Sequence, residues 1–475
     1  MRYDSVFIGG LVVNPAGDPA NLDIGIVDGR VASVAPSIDC TYARAAYDVT
    51  GKIVIPGVID LHVHTSKRHA GYNAHRMMAR AGVVTALDVG GPLDEFYEYC
   101  LSDGAGLNMA CLQQVKPGLT VKDEAPDDTE ITELLEKSIE KGALGLKVLG
   151  GHYPMTPEST RRIIEIANSQ KAYIAFHAGT CRYGSNVEGL LEAIELSKGL
   201  RTHIPHINSY CSGQVKEPIE EILEALDALK KNRNIFGESY LAIINGTSAR
   251  CINGVPESLV TQGCLTQVGY EPTQDGLRQA ILDGYARIAK SWGGENINVA
   301  GEEGVSWWES ANTVTSVNFP KNPAVSRLLS AITKDEEGEF VVDALATDGG
   351  AHPRNVAVER GMALVRMEAW TLSEFVRKVS YVPSRVLGLT NKGHISPGAD
   401  GDLTVIDPSS GRAFMSMGSG RLIMANGTVV GTGTTIITTE TGKPHVEKIG
   451  LKPYIVDVSK GSLYKDVPGD IPRPF

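Results

Sequence analysis

Between residues 57 and 393 short apolar runs alternate with amphipathic helical stretches, and this alternation restricts the architecture more than any other feature of the chain. Eight runs read as strands: 58–64, 83–89, 107–115, 143–149, 172–178, 201–207, 235–242 and 342–348. Helical stretches lie between them. Thr129 to Lys141 has apolar residues at 131, 134, 135 and 139. Thr156-Pro157-Glu158 reads as a helix start, with a capping hydroxyl, proline in the first turn and an acid beside it. Glu217 to Lys231 places Ile219, Ile222, Leu223, Leu226 and Leu229 along one face. Alternating β and α elements over about 330 residues predict an α/β protein with a parallel sheet, and a closed (β/α)8 TIM barrel fits that length. The stretch 243–335, which carries Trp307-Trp308, is expected as an insertion before the eighth strand.

The two ends have a different texture. Residues 1–56 hold the short β-like runs Ser5–Ile8, Asp23–Val27, Arg30–Val34 and Lys52–Ile55, separated by turn residues such as Asn14-Pro-Ala-Gly17 and Asp28-Gly29. Residues 394–475 repeat the pattern at Asp402–Ile406, Leu422–Ala425 and Thr428–Gly431. One small β-sandwich domain formed by both chain ends is the expectation, since termini often lie close together.

A net charge of −11 argues against nucleic acid or an anionic membrane as partner. No stretch reaches the roughly 18 apolar residues of a membrane span. Met1–Phe7 begins as a strand, without the apolar region of a signal peptide. The seven cysteines are scattered, odd in number and lack a Cys-x-x-Cys pair, which predicts reduced thiols and a cytoplasmic location.

The chemistry gathers at strand ends, where barrel enzymes place their catalytic groups. His62 and His64 end the first strand in Pro56-Gly-Val-Ile-Asp-Leu-His-Val-His-Thr65. Alternation along a strand points both imidazoles the same way, and paired neutral imidazoles are half of a metal site. Lys147 sits in Gly142-Ala-Leu-Gly-Leu-Lys-Val-Leu-Gly-Gly151, where a buried ammonium tends to lose its charge. His177 ends the fifth run, and His206 ends the sixth, 29 residues later. His203 competes with His206 but is expected to face the other side by alternation. Asp348, in Ala344-Leu-Ala-Thr-Asp-Gly349, ends the eighth run ahead of His352-Pro-Arg354.

On these residues the chain resembles the amidohydrolase superfamily of metal-dependent hydrolases. The likeness spans nearly the whole chain, including the split β domain and Gly393-His-Ile-Ser-Pro-Gly-Ala-Asp-Gly-Asp-Leu-Thr-Val-Ile-Asp407. The resemblance implies two divalent metal ions, zinc first with manganese, cobalt or nickel as alternatives, held by His62, His64, His177, His206, Asp348 and a carbamate on Lys147. It implies that Asp348 takes a proton from the attacking water and returns it to the leaving nitrogen. Tyr153 resembles the tyrosine that assists the oxyanion in hydantoinase-like members, although its spacing and the Gly150-Gly-His segment differ.

Two subgroups compete. Thr347-Asp-Gly-Gly-Ala-His-Pro-Arg354 and Thr371-Leu-Ser-Glu-Phe-Val-Arg-Lys-Val-Ser380 are similar to N-acyl-D-amino-acid deacylases, a reading in which Arg354 and His352 meet the substrate. Lys147 instead resembles hydantoinases, dihydropyrimidinases and isoaspartyl dipeptidases, which implies a cyclic amide or ureide. A deaminase with a single metal and a metal-free assembly protein stay open as further classes. A small-molecule amide is the expected partner. The resemblance also implies a homo-oligomer, for which the tail Pro468-Gly-Asp-Ile-Pro-Arg-Pro-Phe475 offers an exchanged arm. His69, His75, His152, His394 and His445 lack strand-end context and are expected at the surface or behind the ligands. Glu220-Glu221 and Glu302-Glu303 are expected on solvated faces.

Overall fold

The computed structural model describes residues 2–65 and 73–464; His69 and the tail 468–475 lie outside them. Parallel strand pairs run full circle. Val58–His64 pairs with Val83–Asp88, and that strand with Ala105–Cys111, which continues past Leu112 into Gln113–Val115. Gln113–Val115 pairs with Gly145–Leu149, then follow Tyr173–His177, Thr202–Ile204 and Ile235–Ser239. The last member is split. Ala344–Leu345 pairs with Ile235–Ser239, and Gly349–Gly350 pairs with Val63 and His64 of the first strand. The seven residues 344–350 thus pass from one neighbour to the other, turning at Asp348, whose φ is 50°. Gly350 has φ 72°, and a Cβ there would lie 2.5 Å from the His64 carbonyl oxygen, so only glycine fits this closure.

These strands are buried on both faces, as expected for parallel strands covered by helices. The helix Pro157–Ser169 starts as its sequence predicts, with Thr156 Oγ1 accepting from Ser159 N–H at 3.1 Å. The helix Pro218–Lys231 buries Ile222, Ala225, Leu226 and Leu229, whereas Ile219 and Leu223 of the expected stripe are exposed. Glu221 corrects its expected place on a solvated face. It is fully buried, because Gly213, Val215 and Lys216 donate their N–H groups to its carboxylate.

The chain ends share one nine-stranded sheet. Leu403–Asp407 lies antiparallel to Ile53–Pro56 with Thr404 opposite Ile55, and Ile53–Pro56 pairs with Ser5–Val12. The join is pinned by the buried Lys392 ammonium, 2.9 Å from Asp400 and 2.6 Å from Asp402. Residues 433–455, placed by sequence with this sheet, behave differently. Gly433–Thr438 runs parallel to the start of Ala105–Cys111, with Ile436 opposite Met109, and carries Lys452–Ile455 on its far side. The consecutive residues Ile436 and Ile437 are both fully buried, the two-faced burial of a parallel strand rather than of a half-exposed meander.

The inserted stretch folds on its own core. Asn245–Ser248, Ser316–Phe319, Arg287–Trp292 and Glu295–Val299 form a four-stranded sheet backed by Leu277, Ile281, Val305 and Trp308, whose indole donates to the Ala249 carbonyl at 3.0 Å. No described helix is long and apolar enough to cross a membrane.

Candidate metal centre and its cavity

The ring brings His62, His64, Lys147, His177, His206 and Asp348 to one cavity at the C-terminal ends of its strands. His62 Nε2 lies 3.4 Å from Asp348 Oδ1, and His64 Nε2 lies 2.9 Å from the same oxygen. His206 Nε2 and His177 Nδ1 face each other at 3.0 Å. The outer nitrogens of these two rings are held by hydroxyls, Ser209 Oγ on His206 Nδ1 and Ser185 Oγ on His177 Nε2, both at 2.8 Å. His206 takes φ 40°, a left-handed turn just past its short strand, and this swings its ring into the cavity. Among the described residues, one donor atom each of His62, His206 and Asp348 lie within 4.8 Å of one another.

The electrostatics suit cation binding. Burial holds the His62 and His177 imidazoles well below their usual range and lowers His206 to about 3, so all three are neutral with lone pairs available. Burial alone would raise the Asp348 carboxyl. The Arg354 guanidinium, 2.8 Å from Oδ2, together with His62 and His64, outweighs burial and holds Asp348 ionised. Lys147 is 1% exposed and its Nζ has no hydrogen-bond partner among the described residues. Burial pushes that amine down to about 8, with Glu238 and Asp348 pulling the other way. A buried donor left unpaired costs about 1–3 kcal/mol, so the amine is a position awaiting a partner. Converting it to an anionic carbamate among neutral imidazoles would meet that need. The donor set of nitrogens and carboxylate oxygens therefore fits divalent first-row metals.

Two buried acids were missed by the sequence reading. Glu238 Oε1 accepts from His62 Nδ1 at 2.8 Å and from His206 N–H at 2.9 Å, and burial raises its carboxyl to about 8. Asp60 is raised by burial to about 6 and holds Thr347 of the eighth strand through both its N–H and its hydroxyl. Both stand as ionisable residues inside apolar strand runs, the same signal that singled out Lys147.

Other expectations change. His203 does not face away: it is fully buried inside the ring, 3.1 Å from the Tyr173 hydroxyl and edge-on to Phe236. The strand ends at Ile204, so strict alternation no longer relates positions 203 and 206. His152 lines the cavity, its ring 4.6 Å from His177 and its Nδ1 2.9 Å from Ser258 Oγ of the insertion. His75 is fully buried against Tyr99 rather than near the surface. Tyr153 and His352 line the cavity, with His352 edge-on to His64 at 5.7 Å. Arg354 is not among the lining residues. It is 1% exposed, donates to the Ile244 carbonyl at 3.2 Å and sits 5.1 Å over the Tyr240 ring, beside its pairing with Asp348.

Comparison with known proteins agrees with this geometry. An amidohydrolase family model matches residues 324–439. The chain is 23% identical over 440 residues to a dihydroorotase from Pelotomaculum thermopropionicum, covering 84% of this chain and 88% of that protein. Among solved structures it is similar to N-acyl-D-glutamate deacylase from Bordetella bronchiseptica, complexed with zinc and a phosphonate inhibitor, with TM-score 0.65, 15% identity and coverage of 92% and 99%. Dihydropyrimidinase from Brevibacillus agri gives TM-score 0.57, 16% identity and coverage of 91% and 98%. The structural likenesses establish an α/β fold of the amidohydrolase type. The chain thus resembles the amidohydrolases, by family model over residues 324–439 and by fold over most of its length, and these likenesses support a hydrolase acting on carbon–nitrogen bonds.

Proposed function

We propose that the chain is a metal-dependent hydrolase of a non-peptide amide, acting as an N-acyl-D-amino-acid deacylase. The observation that carries the metal-dependent reading is the unpartnered Lys147 amine among neutral histidines and an ionised Asp348. In this reading the ring of parallel strands is a (β/α)8 barrel and the terminal sheet a β-sandwich domain. His62, His64, His177, His206, Asp348 and a carbamate on Lys147 would hold the two metal ions. Zinc is the metal proposed, in line with the zinc complex of the deacylase neighbour.

Bound metal supplies Lewis acidity that polarises the amide carbonyl and activates the attacking water. The protein does the rest. Arg354 fixes Asp348 Oδ2 and keeps the carboxylate ionised, the state a proton acceptor needs, and Asp348 then hands that proton to the leaving nitrogen. His152 and the inserted strand Asn245–Ser248 line the cavity beside the histidines. The Tyr153 hydroxyl is the candidate donor to the developing oxyanion, and His352 a candidate substrate contact.

The choice of an acyclic substrate is supported by Thr347–Arg354 and by the likeness to deacylase structures. A cyclic amide or ureide is the second reading, favoured by Lys147 and by dihydroorotase relatives that match 84% of the chain. We further propose a cytoplasmic homo-oligomer, consistent with seven unpaired cysteines. Acetate release from N-acetyl-D-amino acids, measured beside ring opening of dihydropyrimidines and hydantoins, tests the assignment. Release of acetate is expected; activity on rings alone sinks the deacylase reading in favour of the second.

A further inference from the structure

Three charged side chains reach the same cavity from outside the histidine cluster: Lys116, Arg250 and Glu257. Lys116 directly follows the strand Gln113–Val115, whereas Arg250 and Glu257 flank the hairpin Cys251–Ile252 and Val255–Pro256 of the insertion. Lys116 Nζ donates to Glu257 Oε1 at 2.7 Å and rests 3.7 Å from the centre of the Tyr153 ring. Arg250 Nη1 stands 3.6 Å from Glu257 Oε2. One carboxylate therefore serves two cations, and a positive charge is left over. Glu257 and Asp348 are the acids among the described lining residues, and Arg354 already neutralises Asp348.

The surplus charge is well placed. The Lys116 and Glu257 side chains are 12% and 15% exposed, so water and salt screen them less than a surface pair, whereas Arg250 is 42% exposed and keeps its guanidinium open to an incoming anion. Lys116 is close enough to act on His152, and His152 packs against His177. A substrate whose amide reaches the histidines can thus present a second group to Lys116 and Arg250.

We propose that Lys116 and Arg250 form the recognition site for a carboxylate on the substrate, with Glu257 holding them in register. This proposal rests on the hydrolase reading above and names its substrate class, an amide that also carries a carboxylate. It applies whether the scissile amide is open or cyclic. It also relieves Arg354, engaged with Asp348, of the role its position in sequence suggested. The guanidinium fork suits bidentate pairing with a carboxylate, and the ammonium adds a point charge.

Matched pairs that differ in one charge provide the test: N-acetyl-D-leucine against its amide, and dihydroorotate against dihydrouracil. Both kcat/KM and calorimetric Kd are measured on the full chain. The acid-to-amide preference is expected to fall about 10- to 100-fold in Lys116→Met and in Arg250→Met. It should persist within about three-fold in Lys116→Arg and rise in Glu257→Gln, which frees a cation. A residue that only supports the fold would lower both members of a pair alike. An unchanged ratio in both Met variants, or a preference for the neutral member in the wild type, overturns the carboxylate site. Absence of turnover on all four compounds rejects the hydrolase reading instead, and the Kd ratios then decide the carboxylate site separately.

Discussion

Glu238 Oε1 lies 2.8 Å from His62 Nδ1, and the same oxygen accepts the main-chain N–H of His206 at 2.9 Å. A single atom on the seventh strand therefore orients candidate ligands from the first and the sixth. With Nδ1 occupied, His62 presents Nε2 to the cavity. Removing a partner of this kind costs about 10- to 100-fold in metal affinity. Glu238→Gln is expected near the lower limit, since its amide oxygen can still accept, and Glu238→Ala near the upper. Competition with a chelating dye measures both. Wild-type affinity in the alanine variant would show that Glu238 does not orient His62.

Arg354 controls the charge of Asp348 across 2.8 Å. Asp348 is held low, so it stays ionised until the pH is strongly acidic. In Arg354→Met the carboxylate loses its cation and takes up a proton at higher pH, and activity should fall off earlier as the pH drops. The acidic limb of the kcat/KM profile is expected to move up by about one to three units. A limb that stays in place would remove Asp348 as the titrating base.

Gly90 leaves room for His64. A Cβ there would stand 2.7 Å from His64 Nδ1, too close for two heavy atoms, so Gly90→Ala must push the ring. The expected outcome is a loss of metal and at least a roughly ten-fold drop in kcat, because small misplacement of a reacting group costs rate heavily. Metal content per chain and steady-state rates are the readouts. Full metal loading and full activity would mean that His64 is not held where the structure places it.

Lys378, far from the histidines, gives a pH test of stability. It is fully buried, donates to the Ala331 and Val342 carbonyls and lies 4.1 Å from the Phe340 ring centre. Burial pushes its amine down to about 7, with Asp343 opposing. The unfolded chain keeps the proton up to about pH 10.4. Between these values the unfolded state binds more protons, so this group makes folding more favourable as pH rises from 7 towards 10. Relative to Lys378→Met, the wild type should gain a few kcal/mol over that range, read from urea midpoints. A constant difference would place the Lys378 amine in its ordinary range.

Much of the ring was legible in sequence because hydrophobic period and length carry it. All eight expected runs overlap observed strands, and the seventh, expected at 235–242, is found at Ile235–Ser239. The six candidate ligands share one cavity for a related reason: each lies within the last three residues of its run, and parallel strands in a ring deliver their ends to one place. What escaped was set by tertiary contact. Nothing local says that Glu221 is wrapped by Gly213–Lys216 N–H groups, or that Arg354 turns inward to Asp348 rather than outward to a ligand. His203 escaped because alternation was carried past the end of a three-residue strand. The strand Gly433–Thr438 escaped because a parallel partner more than 300 residues earlier leaves no trace in the neighbouring sequence.

That late strand bears on how the molecule is made. On a ribosome, Ala105–Cys111 emerges long before Gly433–Thr438, so one edge of an early strand must wait for a partner still unsynthesised. The same holds for Ile53–Pro56 and Leu403–Asp407. Exposed strand edges invite wrong pairings, so the nascent chain carries a hazard of aggregation until translation has passed residue 438.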